Sequence, residues 1–142
     1  TVDFPAHTAR PAPTEGNRMS NSSKSNSPDA IASSVNVAVI RGVLATDVRV
    51  SELPAGGVVH NFEVKTGAGE HRHVVPVAWH DPVRPARLAP GDEVVVVGAV
   101  RRRWFRSGGG SQSRTELLAQ TVAKADSSRA QKALAATLVL LA

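Results

Sequence analysis

The sequence predicts an all-β domain, a small five-stranded barrel with a short helix between the third and fourth strands and an added C-terminal helix. Two observations predict this fold class. From Asn36 onward, five segments rich in β-branched residues are separated by turns that contain Gly or Pro. The last segment instead has Ala and Leu at helical spacing.

The 142 residues are enough for one small domain with tails. Residues 1–34 are predicted to be a disordered tail, because several prolines interrupt any helix and 20–27 is almost entirely Ser, Asn and Lys. Residues 35–125 form the predicted barrel. Residues 126–142 form the predicted terminal helix.

The first three strands follow from alternating apolar positions and their bounding turns. The first is predicted over 36–44 and continues through Val48 and Val50. A turn at 54–57 leads to the second strand, 58–65, and a further turn precedes the third, 73–79.

Asp81 and Pro82 are typical of a helix start, and Pro90-Gly91 would end that helix early. The fourth strand is predicted over 93–103, with its four consecutive valines covered on both faces. Gly98 inside it allows a bulge. We expect a flexible Gly/Ser loop over 106–114 and a fifth strand over 115–124.

Asp126, Ser127 or Ser128 can cap the last helix. Ala130, Leu134, Leu138 and Leu141 form one apolar stripe along it. A helix of roughly 15 residues is marginal alone, so we expect this stripe to dock, either at an oligomer interface or back on the barrel.

Composition limits the possible functions. Lys and Arg total 17 against 12 Asp and Glu, a net charge of +5 that is compatible with an anionic partner. The absence of Cys excludes disulfides, Cys-ligated zinc and thiol catalysis. No apolar run approaches the roughly 20 residues of a membrane span, so we expect no membrane partner.

The acids Asp47, Asp81, Asp92 and Glu93 form no paired metal-ligand motif, and we expect no enzymatic activity. His71, His73 and His60 could approach one another on neighbouring strands. Without a clear fourth ligand, we expect neither a metal site nor another cofactor.

Five strands with a helix between the third and fourth is the plan of the OB-fold. The stretch 36–44 followed by Asp47 resembles the opening strand of the bacterial single-stranded DNA-binding protein family. Val59-His60-Asn61-Phe62 and Pro76-Val77-Ala78-Trp79 are similar to its second and third strands. The segments 91–98 and 101–104 are similar to its fourth strand and the basic-aromatic exit from it. The resemblance covers roughly residues 35–124.

This resemblance implies binding of single-stranded DNA, a homotetramer, a cytoplasmic nucleoid-associated location, and a role in DNA replication, repair or recombination. The prolines between strands three and four depart from the family pattern. So does the apolar helix that stands where the family has an acidic tip. We therefore expect a divergent or accessory member, and no partner recruitment through such a tip. An accessory OB-fold module that binds RNA or a protein is the alternative.

Single-strand binding needs cations for phosphates and π-faces for bases. Both kinds of residue occur together in the segment Arg101, Arg102, Arg103, Trp104, Phe105 and Arg106, which is the main candidate site. Trp79, where the family places a stacking aromatic, is a further candidate, with a core Trp as the alternative. His73 is a weaker stacking candidate, and Arg72 and Arg41 could extend the cationic path.

Overall fold

A computed structural model describes residues 34–142, with residue 86 excepted. Six strands are formed, namely β1 (Ala38–Leu44), β2 (Arg49–Glu52), β3 (Val58–Thr66), β4 (His73–His80), β5 (Glu93–Ser107) and β6 (Gly110–Lys124). One α-helix follows, α1 (Ser128–Leu141), and a single 3-10 turn, Gly69–His71, lies between β3 and β4. The predicted tail, apart from Ser34, lies outside the described residues.

The strands form one closed sheet. Its order is β1-β5-β6-β4-β3-β2, and β1 also pairs with β3, so five strands complete a circuit. All neighbouring pairs are antiparallel except β4 and β6, which are parallel. The prediction of a mostly β domain with a C-terminal helix is therefore confirmed.

The circuit encloses the main core, to which every strand of the circuit contributes apolar side chains. Its buried members are Leu44, Phe62, Val64, Val77, Trp79, Val94, Val96, Leu117, Ala119 and Val122. Because side chains alternate along a strand, Val95 and Val97 point to the other face of β5. There they join Ala123 of β6 and Ala130 of α1 in a second cluster, so both faces of the valine run are covered as predicted.

The predicted bulge at Gly98 is confirmed. The pairing of β5 with β6 shifts register between Val97 and Gly98. A Cβ at Gly98 would overlap the carbonyl oxygen of Leu118, so only glycine permits this close approach of the two strands.

Helix α1 begins where its capping residue predicts. The Ser127 hydroxyl accepts a hydrogen bond from the Ala130 backbone N–H at 3.2 Å. Helix α1 packs back on the sheet in part, because Ala130 and Thr137 are buried whereas Leu138 and Leu141 are 69% and 57% exposed. Within one chain the predicted stripe is therefore covered only in its first part.

The predicted short helix between the third and fourth strands is not formed in the described residues of this segment. Asp81 has a left-handed φ of 42° that no helix start allows. Its carboxylate accepts from the Val58 N–H at 2.8 Å, and its own N–H donates to the Val58 carbonyl at 2.9 Å. Asp81 thus closes the β3–β4 pair instead of capping a helix, and the prolines that follow stop a helix from propagating.

The predicted loop over 106–114 is also wrong. Gly108 and Gly109 both have positive φ, 59° and 80°, which is the backbone of a two-residue hairpin turn. The turn lets β5 and β6 pair up to Ser107 and Gly110.

Among the described residues, no helix has the length and apolar character needed to cross a membrane.

Candidate nucleic-acid interface

The outer parts of β5 and β6 extend beyond the closed circuit. From Arg101 to Ser107 on β5 and from Gly110 to Glu116 on β6, these strands pair only with each other. We call this two-stranded segment the ribbon. Residues 101–114 contain five Arg and no acid, so the ribbon concentrates positive charge at one place on the molecule.

Strand alternation divides the predicted basic-aromatic cluster between the two faces of the ribbon. One face, which we call the Trp face, presents Arg102, Trp104 and Arg106. The opposite face, which we call the Phe face, presents Arg101, Arg103 and Phe105. The segment named as one candidate site is therefore divided between two surfaces.

Trp104 is the exposed aromatic of the Trp face, with 62% of its surface accessible. The guanidinium of Arg102 lies 4.5 Å from the centroid of its ring, within the range of a cation–π contact. Arg102 is held in place because its Nε donates to the Ser113 hydroxyl at 3.0 Å. One side of the indole is thus covered by a cation while much of the ring stays open to solvent.

A buried carboxylate neutralises part of the Phe face. The Glu116 side chain is only 3% exposed, and Arg101 contacts its Oε1 through Nε at 3.0 Å and Nη2 at 2.9 Å. Arg103 Nε lies 3.3 Å from the same oxygen. A guanidinium only donates, so His80 Nε2 must accept from Arg101, 3.2 Å away. The charge of Arg101 is therefore largely used within the protein, contrary to its predicted role at phosphates.

Phe105 is half-buried, and the Arg103 guanidinium lies 5.4 Å from its ring centroid. The Phe face thus repeats the Arg–aromatic pair of the Trp face with a smaller and less open ring. Glu116 and His80 are functional neighbours that the sequence reasoning missed. The signal for Glu116 is a lone acid in a strand whose partner strand carries three consecutive Arg.

The position of Trp79 corrects the expectation that it stacks on a base. Its side chain is 4% exposed and belongs to the core enclosed by the circuit. His60 packs against it edge-on, with ring centroids 6.0 Å apart and planes at 74°. No face of this indole is open to a ligand, because alternate side chains of β4, including Trp79, point into the core.

His73 and Arg72 are exposed. The parallel register, with Val77 opposite Leu117, places His73 at the level of Ser113 on β6, at the same end of the sheet as the ribbon. His73 shares the parity of buried Trp79 but lies beyond the core, so its ring remains accessible.

Arg41 does not join this surface. Its Nε contacts Glu93 Oε1 at 2.7 Å, which neutralises its charge. Arg41 is the register partner of Val95. Val95 lies six residues before Arg101 on β5, so Arg41 is roughly 20 Å from Arg101 along the strand, at about 3.3 Å per residue. Arg41 therefore lies apart from the ribbon and is paired with an acid of its own strand pair.

A cleft of about 250 Å³ lies beside the base of the ribbon. Its polar lining includes two cations, Arg49 and Arg114, and three acids, Asp47, Glu63 and Glu116. The sequence reasoning did not select Arg114. Arg114 Nη2 lies 3.4 Å from Glu63 Oε1, an ion pair that spans β4 because β4 lies between β3 and β6. The cleft is therefore a polar continuation of the ribbon surface in which acids outnumber cations.

No protein-family model matches the chain, and a search of curated proteins gave no significant match. Within 34–142, residue 86 excepted, no three His, Asp or Glu side chains are grouped as metal ligands would be.

Proposed function

We propose that the protein binds single-stranded DNA with little sequence preference and without catalysis, by stacking bases on Trp104 and pairing phosphates with Arg. The observation that carries this proposal is the exposed indole with Arg102 beside it, on a ribbon free of acids between 101 and 114. Base–aromatic stacking contributes about 1–3 kcal/mol per base and tolerates any sequence, because every base has a π-face.

We further propose that the closed circuit is an OB-fold and that the chain is a divergent member of the bacterial single-stranded DNA-binding protein family. The strand circuit supports this, since five strands close with only one parallel pair. The family implies a homotetramer in the cytoplasm, associated with the nucleoid, that acts in DNA replication, repair or recombination. Exposed Val39 and Val43 on β1 supply apolar surface that such an assembly could bury.

The two tryptophans allow a direct test by fluorescence. Trp104 is exposed and Trp79 is buried, so a bound base should quench only Trp104. We expect oligo-dT to quench part of the emission at low salt, with an affinity that falls steeply as salt is added. Trp104→Phe should keep binding, measured by anisotropy of a labelled oligonucleotide, but lose the quenching. Unchanged emission and anisotropy at low salt would contradict the proposed function.

The alternative, an accessory module that binds RNA or a protein, has one structural observation in its favour. Helix α1 ends in four exposed aliphatic side chains, Leu138, Val139, Leu140 and Leu141, which suit a protein partner. Affinities for matched single-stranded DNA, single-stranded RNA and duplex DNA separate the alternatives. The leading proposal requires the first to be at least as tight as the second and tighter than the third.

A further inference from the structure

Both faces of the ribbon are open to solvent. Beyond Arg101 neither ribbon strand has a further strand beside it, and the turn at Gly108 and Gly109 forms a narrow tip. On the Trp face Arg102, Trp104 and Arg106 are exposed, and on the Phe face Arg103 is exposed with Phe105 half-exposed. A ligand can reach either face without any rearrangement of the fold.

Each face carries a complete version of the same recognition unit. On the Trp face Arg102 lies over the ring two residues further along the strand, and on the Phe face Arg103 does the same. The two-residue offset is the repeat that puts both members of a pair on one side of a strand. Each unit provides a π-face for a base and a cation for the adjoining phosphate.

We infer that the ribbon binds two single-stranded segments at once, one on each face, so that the two β-strands of the ribbon separate the two nucleic-acid strands. This inference rests on the proposed single-strand binding and specifies its stoichiometry. A base stacked on Trp104 cannot reach Phe105, because the backbone of the ribbon separates the two rings.

The charge of the ribbon suits two polyanions better than one. Strands held on opposite faces repel each other, and the five Arg between 101 and 114 lie between them with no acid in that segment. Two acids lie nearby, Glu116, which is buried and paired with Arg101 and Arg103, and Glu63, which is paired with Arg114. The ribbon can therefore screen two phosphate backbones from each other.

The two faces are unequal. Trp104 offers a larger and more exposed ring than Phe105, and Glu116 reduces the charge available on the Phe face. The Trp face should therefore fill first and the Phe face at a higher concentration of nucleic acid. Separated strands at a fork, or two strands being brought together for pairing, would both present this pair of ligands.

The test measures bridging of two non-complementary oligonucleotides of about 8 nucleotides, one labelled with a fluorescence donor and one with an acceptor, at low salt. The wild-type chain should give energy transfer between the labels. The number of oligonucleotides bound per chain decides the question, because an assembly of several chains could bridge with one face each. A Trp-face variant, Arg102→Ala with Trp104→Ala, and a Phe-face variant, Arg103→Ala with Phe105→Ala, should each bind one oligonucleotide per chain where the wild type binds two. Lys132→Ala on α1, which removes a charge outside the ribbon, should bridge like the wild type.

Three outcomes would overturn the inference, and they are distinguishable. Two oligonucleotides per chain in either one-face variant would show that the altered face did not hold one of them. Binding of a single oligonucleotide without bridging in the wild type would refute the two-face inference and leave the proposed function intact. Absence of any oligonucleotide binding would refute the proposed function itself. Matched thermal unfolding of all variants ensures that a loss is not a loss of fold.

Discussion

Strand β5 passes through two regions, the closed circuit and the ribbon, which differ in how much of its side chains is exposed to solvent. In the closed circuit, Val94 to Val97 are 0–7% exposed, because the core covers one face and α1 with its neighbours covers the other. In the ribbon, the same strand continues with Trp104 at 62% exposure. Backbone pairing is continuous through both regions, so pairing alone does not bury a strand.

The contrast separates stability from recognition. Burial of apolar surface is the main term that stabilises a fold, and it lies in the circuit. The ribbon buries little, and a two-stranded hairpin is marginal by itself. Its attachment to the circuit and the ion pairs at Glu116 hold it, which leaves its outer side chains available for a ligand.

The largest expected effect is the loss of stability when Trp79, the tryptophan buried in the circuit, is replaced by Ala. Trp79→Ala removes a side chain that is 4% exposed, so we expect a loss of about 3–5 kcal/mol in the free energy of unfolding. Denaturant unfolding measures this loss. Trp104→Ala is the matched control and should stay within about 0.5 kcal/mol of the wild type. Equal losses of unfolding free energy for the two variants would contradict the conclusion that the circuit, and not the ribbon, stabilises the fold.

The reciprocal prediction concerns binding by the same ribbon variant. Trp104→Ala should weaken binding of oligo-dT by about 1–3 kcal/mol, because a stacking platform is lost while the fold stays intact. Titration by anisotropy measures the affinity. Gln131→Ala, an exposed change on α1 outside the ribbon, serves as the control. An affinity that Trp104→Ala leaves unchanged would show that this indole does not contact bases.

A third prediction tests whether α1 belongs to the stable region. Ser127→Ala removes the side chain that caps the helix at the Ala130 N–H, so we expect a loss of about 1 kcal/mol in unfolding free energy with no change in DNA affinity. Ser111→Ala in the ribbon should leave stability unchanged. If Ser127→Ala cost no stability, helix capping would not contribute to the circuit region.

Local sequence rules predicted the strands of the circuit and the start of α1, since side-chain alternation and a capping Ser act over a few residues. They failed at Asp81, because its carboxylate bonds to Val58, 23 residues away, and the β3–β4 pairing decides that contact. The burial of Glu116 likewise depends on the β5–β6 register set by the bulge at Gly98. The division of Arg101–Arg106 between two faces follows from alternation once the strand is known to continue past Arg103.

The smallest expected effect distinguishes two arginines of the ribbon. The Arg106 side chain is exposed and makes no hydrogen bond or ion pair within the described part of the chain, whereas the Arg101 side chain is bound to Glu116 and His80. Each phosphate contact to a single strand contributes about 0.7 to the slope of log affinity against log salt. Arg106→Ala should therefore lower the magnitude of that slope by about 0.7, roughly a threefold effect between 50 and 200 mM salt. Arg101→Ala should keep the slope and instead lower the unfolding midpoint, because a buried carboxylate loses its nearest partner. The reverse pattern would show that Glu116 releases Arg101 to the nucleic acid, and that this ion pair belongs to the binding surface and not to the support of the ribbon.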